Sequence, residues 1–343
     1  YDFSAKGMAA AANDVLRADA LSPQLHDKVV RALNDLYRGF RSTGDNSALM
    51  IQGLLGLGDN PDAYRRALWV NLRSWGRGGE KMLGRHLRQF DKKAVAEGRL
   101  TSRDWATFGS RVGGAETEMM LGQGITARLR GLPLVKQANR AYGFFGDVLR
   151  LEWADELLKE QMRKGRSLEQ LIASGDVARI ARLVNGATGY SSTKFGGSLG
   201  ELLFFAPRFL QSRLVTLTRA SVGMVPGKRT LEQRIARRSM LKLIAYSAAI
   251  TMFANGIQGR TTDFRPVVNG KPNANFMRIR FAGRDWSLLG TWDSIAKAII
   301  VTGQGNPQHA WRGMSSGVVA NAWDFLTGET AIGEPTRDSA SRV

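Results

Sequence analysis

The chain contains no cysteine, and only three of its 343 residues are histidine. Zero cysteine excludes a disulfide scaffold, thiolate zinc or iron–sulfur ligation, and a cysteine nucleophile. His26, His86 and His309 share no ligand-like spacing, so no metal is expected and solvated helix positions are their default setting. Acidic residues are also scarce, 30 against 49 Lys+Arg. They are scattered and read mostly as partners for Arg at helical spacing. No Ser/His/Asp set can be assigned by position, because such a set is recognised by geometry. The segment GGSLGE at 196–201 comes nearest to a phosphate loop, but the Gly-Lys-Ser/Thr ending is missing and Lys194 precedes the glycines. No catalytic residue, cofactor or enzyme activity is therefore expected.

What is present is basic charge and enough apolar surface for a core. The formal net charge is +19, and 36 of the 49 basic residues are Arg. An excess of this size points to polyanionic partners, either nucleic acid or anionic lipid. Apolar content of 43% argues against wholesale disorder. The chain opens on Tyr1, as a fragment or processed product would, and residues 1–20 lack the apolar core and cleavage site of a signal peptide.

The periodicity predicts a mainly α chain, an elongated multi-helix assembly with one small β-hairpin near residues 275–289. Four regions are expected: an N-terminal helical region, 1–130; a helical region, 131–222, with a Gly/Ser loop at 185–201; a third, 223–335, of basic linker, apolar helix, hairpin and C-terminal helices; and a disordered tail, 336–343. Ser22-Pro23 and Asn60-Pro61 each read as a helix cap followed by proline at the first helical position. The second helix should run from Asp62 to about Trp75 and stop at 76–79. A basic helix follows from Glu80 to Glu97, with Met82, Leu83, Leu87 and Phe90 on one face. Thr101 should cap the next helix. Val148, Leu151, Trp153, Leu157 and Leu158 read as the apolar side of an amphipathic helix. Near the C-terminus, Phe276, Arg278 and Arg280 alternate with Met277, Ile279 and Phe281, the pattern of a strand. Helices are expected from Thr291 to Thr302 and from Gln308 to about Leu326.

Two groups of residues carry the functional expectation. Arg65, Arg66, Arg73 and Arg77, interleaved with Trp69 and Trp75, suit sequence-independent phosphate contact, as do Lys228, Arg229, Arg234, Arg237 and Arg238. The plain alternative is a solvated face with both Trp side chains in the core. The second group is the apolar run 240–257, which holds a single charge, Lys242, and only just reaches bilayer-spanning length. Leu243, Ile244, Ile250, Met252, Phe253 and Ile257 would pack in a membrane or against a subunit. The plain alternative is a buried central helix.

The last third resembles a known family. GELLFFAPRFLQSRL (200–214), the basic linker, the small-residue helix 240–257, PNANFMRIRFAGRDWSLLGTWDSIAKAI (272–299) and GVVANAWDFLTGETAIGE (317–334) occur in that order, with Asp285 at the acidic place of the hairpin. This series, covering about residues 140–335, is similar to the C-terminal region of phage large polyvalent proteins. Some virion-associated members look like the internal core or ejection proteins of short-tailed phages. The resemblance implies a helical protein packaged with the genome inside the capsid and delivered to the host envelope or periplasm, helping to form or anchor a DNA-translocation conduit. Expected partners are phage DNA without sequence preference, portal, tail or other ejection proteins, an anionic membrane surface, and further copies of the chain as a homo-oligomer. Two other readings stand beside it: a non-catalytic helical segment of a giant virion enzyme, and an architectural head protein bound to portal or tail.

Overall fold

The computed structural model describes residues 53–76, 78–112, 133–191, 207–224, 227, 229–281 and 284–305. The architecture is mainly α. In chain order the described helices are α1 (Leu54–Asp59), α2 (Pro61–Ser74), α3 (Met82–Ala96), α4 (Ser102–Thr107), α5 (Pro133–Arg163), α6 (Leu168–Ala173), α7 (Asp176–Ala187), α8 (Pro207–Val222), α9 (Leu231–Ile257) and α10 (Thr291–Gly303). A 3-10 turn, Gly79–Lys81, leads into α3.

Several starts follow from local chemistry. The Asn60 side chain accepts from the Ala63 amide at 2.9 Å and Pro61 opens α2, as the sequence predicts. Thr101, Ser167 and Thr230 each close a reciprocal capping box, with Asp104, Gln170 and Gln233. The Thr230 box starts α9 well before the apolar run, so the basic residues 234–242 and the run form one helix. The expected loop at 185–201 begins later than predicted. Asn185 and Ala187 are the buried last turn of α7 because Asn185 bonds the Gly109 carbonyl and the Arg111 amide. Residues 192–201 lie outside the described residues, as do the Ser22-Pro23 helix start, Arg77, Lys228, His26, His309, the helix expected from Gln308 and the tail.

One continuous buried cluster draws on the expected regions together, from Leu54 and Leu55 through Phe145, Trp153 and Val184 to Met240, Leu243, Leu289 and Trp292. Its axis is α5, which packs on α2 and α7. Between residues 145 and 158 every α5 side chain except Glu156 is buried, including Asp147, Arg150, Glu152 and Asp155. The segment expected to be amphipathic is thus enclosed nearly all round. Its charges are matched both within the helix and from neighbouring segments: Arg150 donates to Asp147 at 2.8 Å and to the Arg111 carbonyl at 2.8 Å. Arg99 bonds Asp155, which Lys159 also faces at 3.2 Å.

The hairpin forms where expected. β3 (Arg278–Phe281) pairs antiparallel with β4 (Arg284–Ser287), with Arg280 opposite Asp285. The alternation starts two residues later than read, because Met277 adopts a positive φ of 48° and its amide bonds the Asp263 carbonyl at 2.8 Å. Its supposed apolar face splits: Met277 is buried while Phe281 is 71% exposed. A second antiparallel sheet, not anticipated, joins Val267–Val268 (β1) to Lys271–Pro272 (β2) through a turn with Asn269 at φ 52°.

Candidate nucleic-acid interface

The helical period of α2 separates its four named cationic and aromatic residues. Ala63, Tyr64, Ala67 and Val70 face the core, which turns Arg65, Trp69 and Arg73 outward at four-residue intervals. Trp69 is 54% exposed, and the Arg73 guanidinium lies 4.0 Å from its ring centroid. The plain alternative that put Trp69 in the core is therefore overturned. Trp75 is half-buried. Arg65 approaches Asp62 at 3.5 Å, but both groups are well exposed, so solvent leaves that pairing weak.

Arg66, expected beside them, turns the other way. Its Nε stands 2.9 Å from one Glu152 oxygen, while His86 Nε2 stands 2.9 Å from the other. Burial raises the Glu152 carboxyl, but His86 and Arg66 together outweigh it and hold the group below its ordinary 4.5. His86 is consequently no solvated helix position: it closes a largely buried polar contact between α3 and α5.

The α3 helix and the 3-10 turn leading into it supply residues that the sequence reading left unnamed. Lys81, Arg85, Arg88 and Lys92 recur at intervals of four, three and four, and all four are exposed. They form a stripe about 16 Å long at 1.5 Å per residue. Among the described residues no carboxylate pairs with them. The nearby acids are engaged elsewhere: Asp91 accepts from the Ser102 amide at 2.7 Å, Glu80 faces Arg140 at 3.6 Å, and Glu97 takes Arg99 at 2.8 Å. The signal was present in the sequence as basic residues on one helical face. Only the placement of the acids shows that the stripe is uncompensated.

The basic cluster before the apolar run divides. Arg234 is exposed, and Arg229 and Arg237 are half-buried. Arg238 instead spans two carboxylates, Asp59 at 3.1 Å and Glu160 at 2.7 Å, and Lys242 reaches Asp59 at 3.3 Å. The Asp59 side chain is nearly inaccessible and also receives Trp153 Nε1 at 3.0 Å. Burial alone would lower the Arg238 guanidinium, but Asp59 and Glu160 reverse the shift and raise it. Arg238 was expected to meet phosphate; its charge is spent on joining α1, α5 and α9.

The apolar group also divides. Leu243 is buried, with its backbone against Gly58 of α1. Ile244, Ile250, Met252, Phe253 and Ile257 are exposed, so α9 is no buried central helix; α5 holds that place.

Chemically, the outward residues of α2 and α3 offer point charges and guanidinium forks for phosphate and one indole face for a base. Among the described residues no group of His, Asp and Glu could hold a metal ion. No family model, curated protein or solved structure matches the chain.

Proposed function

We propose that this chain is a non-catalytic internal virion protein of a phage, packaged against the genome and delivered with it towards the host envelope. The observation that carries the genome half of this reading is the stripe Lys81, Arg85, Arg88 and Lys92, which has no carboxylate partner among the described residues, adjacent in the chain to the outward Arg65, Trp69 and Arg73. Phosphate neutralisation by such a stripe releases condensed counterions, needs no base contacts, and is therefore blind to sequence. The delivery half rests on the ordered resemblance across residues 140–335 and on the +19 charge.

The test is a salt titration of binding to duplex DNA of mixed sequence. The chain should bind without sequence preference, with affinity falling steeply as salt rises. Each phosphate contact removed takes about 0.9 from the slope of log K against log salt. Replacing the four α3 cations by Ala should flatten that slope by two to four phosphate equivalents. Tight, salt-resistant binding to one sequence, or an unchanged slope in the variant, overturns the reading.

A further inference from the structure

The α9 helix is built inside-out over its second half. Ser247, Thr251 and Asn255 are 0–4% exposed and face the protein, while Ile250, Met252, Phe253 and Ile257 are 53–73% exposed. Asn255 accounts for the inward polarity at its end of the helix: its Nδ2 bonds the Thr262 hydroxyl at 3.0 Å and the Arg278 carbonyl at 2.9 Å, tying α9 to β3. From Leu243 to Ile257 there is no charged residue. Tyr246, at 52% exposure, lies on the same helix, and the β3–β4 hairpin packed against it exposes Phe281 and Trp286. Arg260 follows the helix and is exposed, and Arg280 sits exposed on the hairpin, where it also faces Asp285 at 3.2 Å.

We infer that the outer face of residues 244–257, with Phe281 and Trp286 beside it, docks in the plane of an anionic lipid bilayer. By length and composition α9 is apolar enough to cross a membrane, yet its first half is committed to the core through Leu231, Ile235, Met240 and the Arg238–Asp59 contact. The uncharged half covers about 22 Å, short of the roughly 30 Å hydrocarbon core, and one of its sides is occupied by protein. An interfacial helix needs only one apolar face with polar or basic edges, and amphipathic Tyr and Trp suit that depth. Charge selects the occupant. A second copy would bring another +19 and the same basic edges, whereas anionic headgroups are complementary to both. This names the envelope-side partner of the delivery reading and rests on it only for where a bilayer is met.

The experiment is flotation of the full chain with vesicles of phosphatidylglycerol and phosphatidylcholine, against phosphatidylcholine alone, for the natural sequence and for F253S/I257S. Solution mass, thermal midpoint and DNA binding are measured on the same samples. The natural chain should float with the anionic vesicles, and the variant should lose at least about tenfold in partitioning, with its thermal midpoint and DNA binding unchanged. DNA binding that persists while flotation fails overturns this inference and leaves the genome-binding reading standing. A multimer that the variant dissolves, without flotation, assigns the face to a second copy and overturns it. A variant with a lowered midpoint shows that another part of this chain covers the face, which overturns it as well.

Discussion

Glu152 shows how a single residue concentrates the charge problem of this protein. Its carboxylate is largely buried on α5, and Arg66 and His86 reach it from α2 and α3. Burial would raise its carboxyl, yet these neighbours hold it below 4.5; Glu160, likewise opposed by burial, is held down by Lys164 and Arg238. A carboxyl depressed in the folded state contributes stability that is complete above its unfolded value and is lost as pH falls through the folded one. Asp155 acts in the opposite sense, because burial there prevails over Lys159 and Arg99 and raises it. The protein should therefore lose stability below about pH 4.5, with Asp155 offsetting part of the loss. E152Q should cost about 1–3 kcal/mol at pH 7 and flatten the decline between pH 5 and 3, as read by thermal denaturation at each pH. The Glu152 contacts could not be read from spacing, since Arg66 and His86 lie far from it in the chain. Lys159 with Asp155 and Lys164 with Glu160, by contrast, are each four residues apart, a spacing that brings side chains together on one helix face.

Among the elements, the starts of α2 and α4 were legible because a cap and a proline act within one turn. The position of α9 was not. Eighteen residues with one charge resemble a core helix, and only neighbours decide which side is covered. A contact with α1 fixes that choice: a Cβ built on Gly58 would stand 3.2 Å from the Leu243 backbone. The two helices therefore meet backbone to backbone, and the Asp59 cluster locks the same junction. G58A should destabilise by about 1–3 kcal/mol through overpacking, seen as a lower urea midpoint with native helix content retained in buffer. The α3 stripe belongs to this scale too. Its spacing was visible, but its lack of counter-charge depended on Asp91 and Glu80 turning to Ser102 and Arg140.

For the whole molecule, internal pairing leaves the net +19 unchanged. Its exposed cations, such as Arg65, Arg85, Arg88 and Arg234, resist self-association and favour polyanions. If the proposed virion role holds, the chain should be present in DNA-filled particles and absent from those emptied by genome release, as mass spectrometry of both populations would show. Retention in emptied particles would instead mark it as a fixed architectural part of head or tail.

The sequence by itself determined the class and the charge. Helical periodicity, capping residues, the hairpin alternation and the basic excess are local or additive properties, and they survive any arrangement of the chain. Tertiary structure decided which cations remain available and which apolar side chains are covered. Arg238 and Arg66 are withdrawn into buried carboxylate contacts, Lys81, Arg85, Arg88 and Lys92 have no carboxylate partner among the described residues, and α9 turns Ser247, Thr251 and Asn255 inward while Phe253 and Ile257 face out. The reason is that burial and ion pairing depend on what another part of the chain brings within a few ångströms, and that information is nowhere in the local pattern.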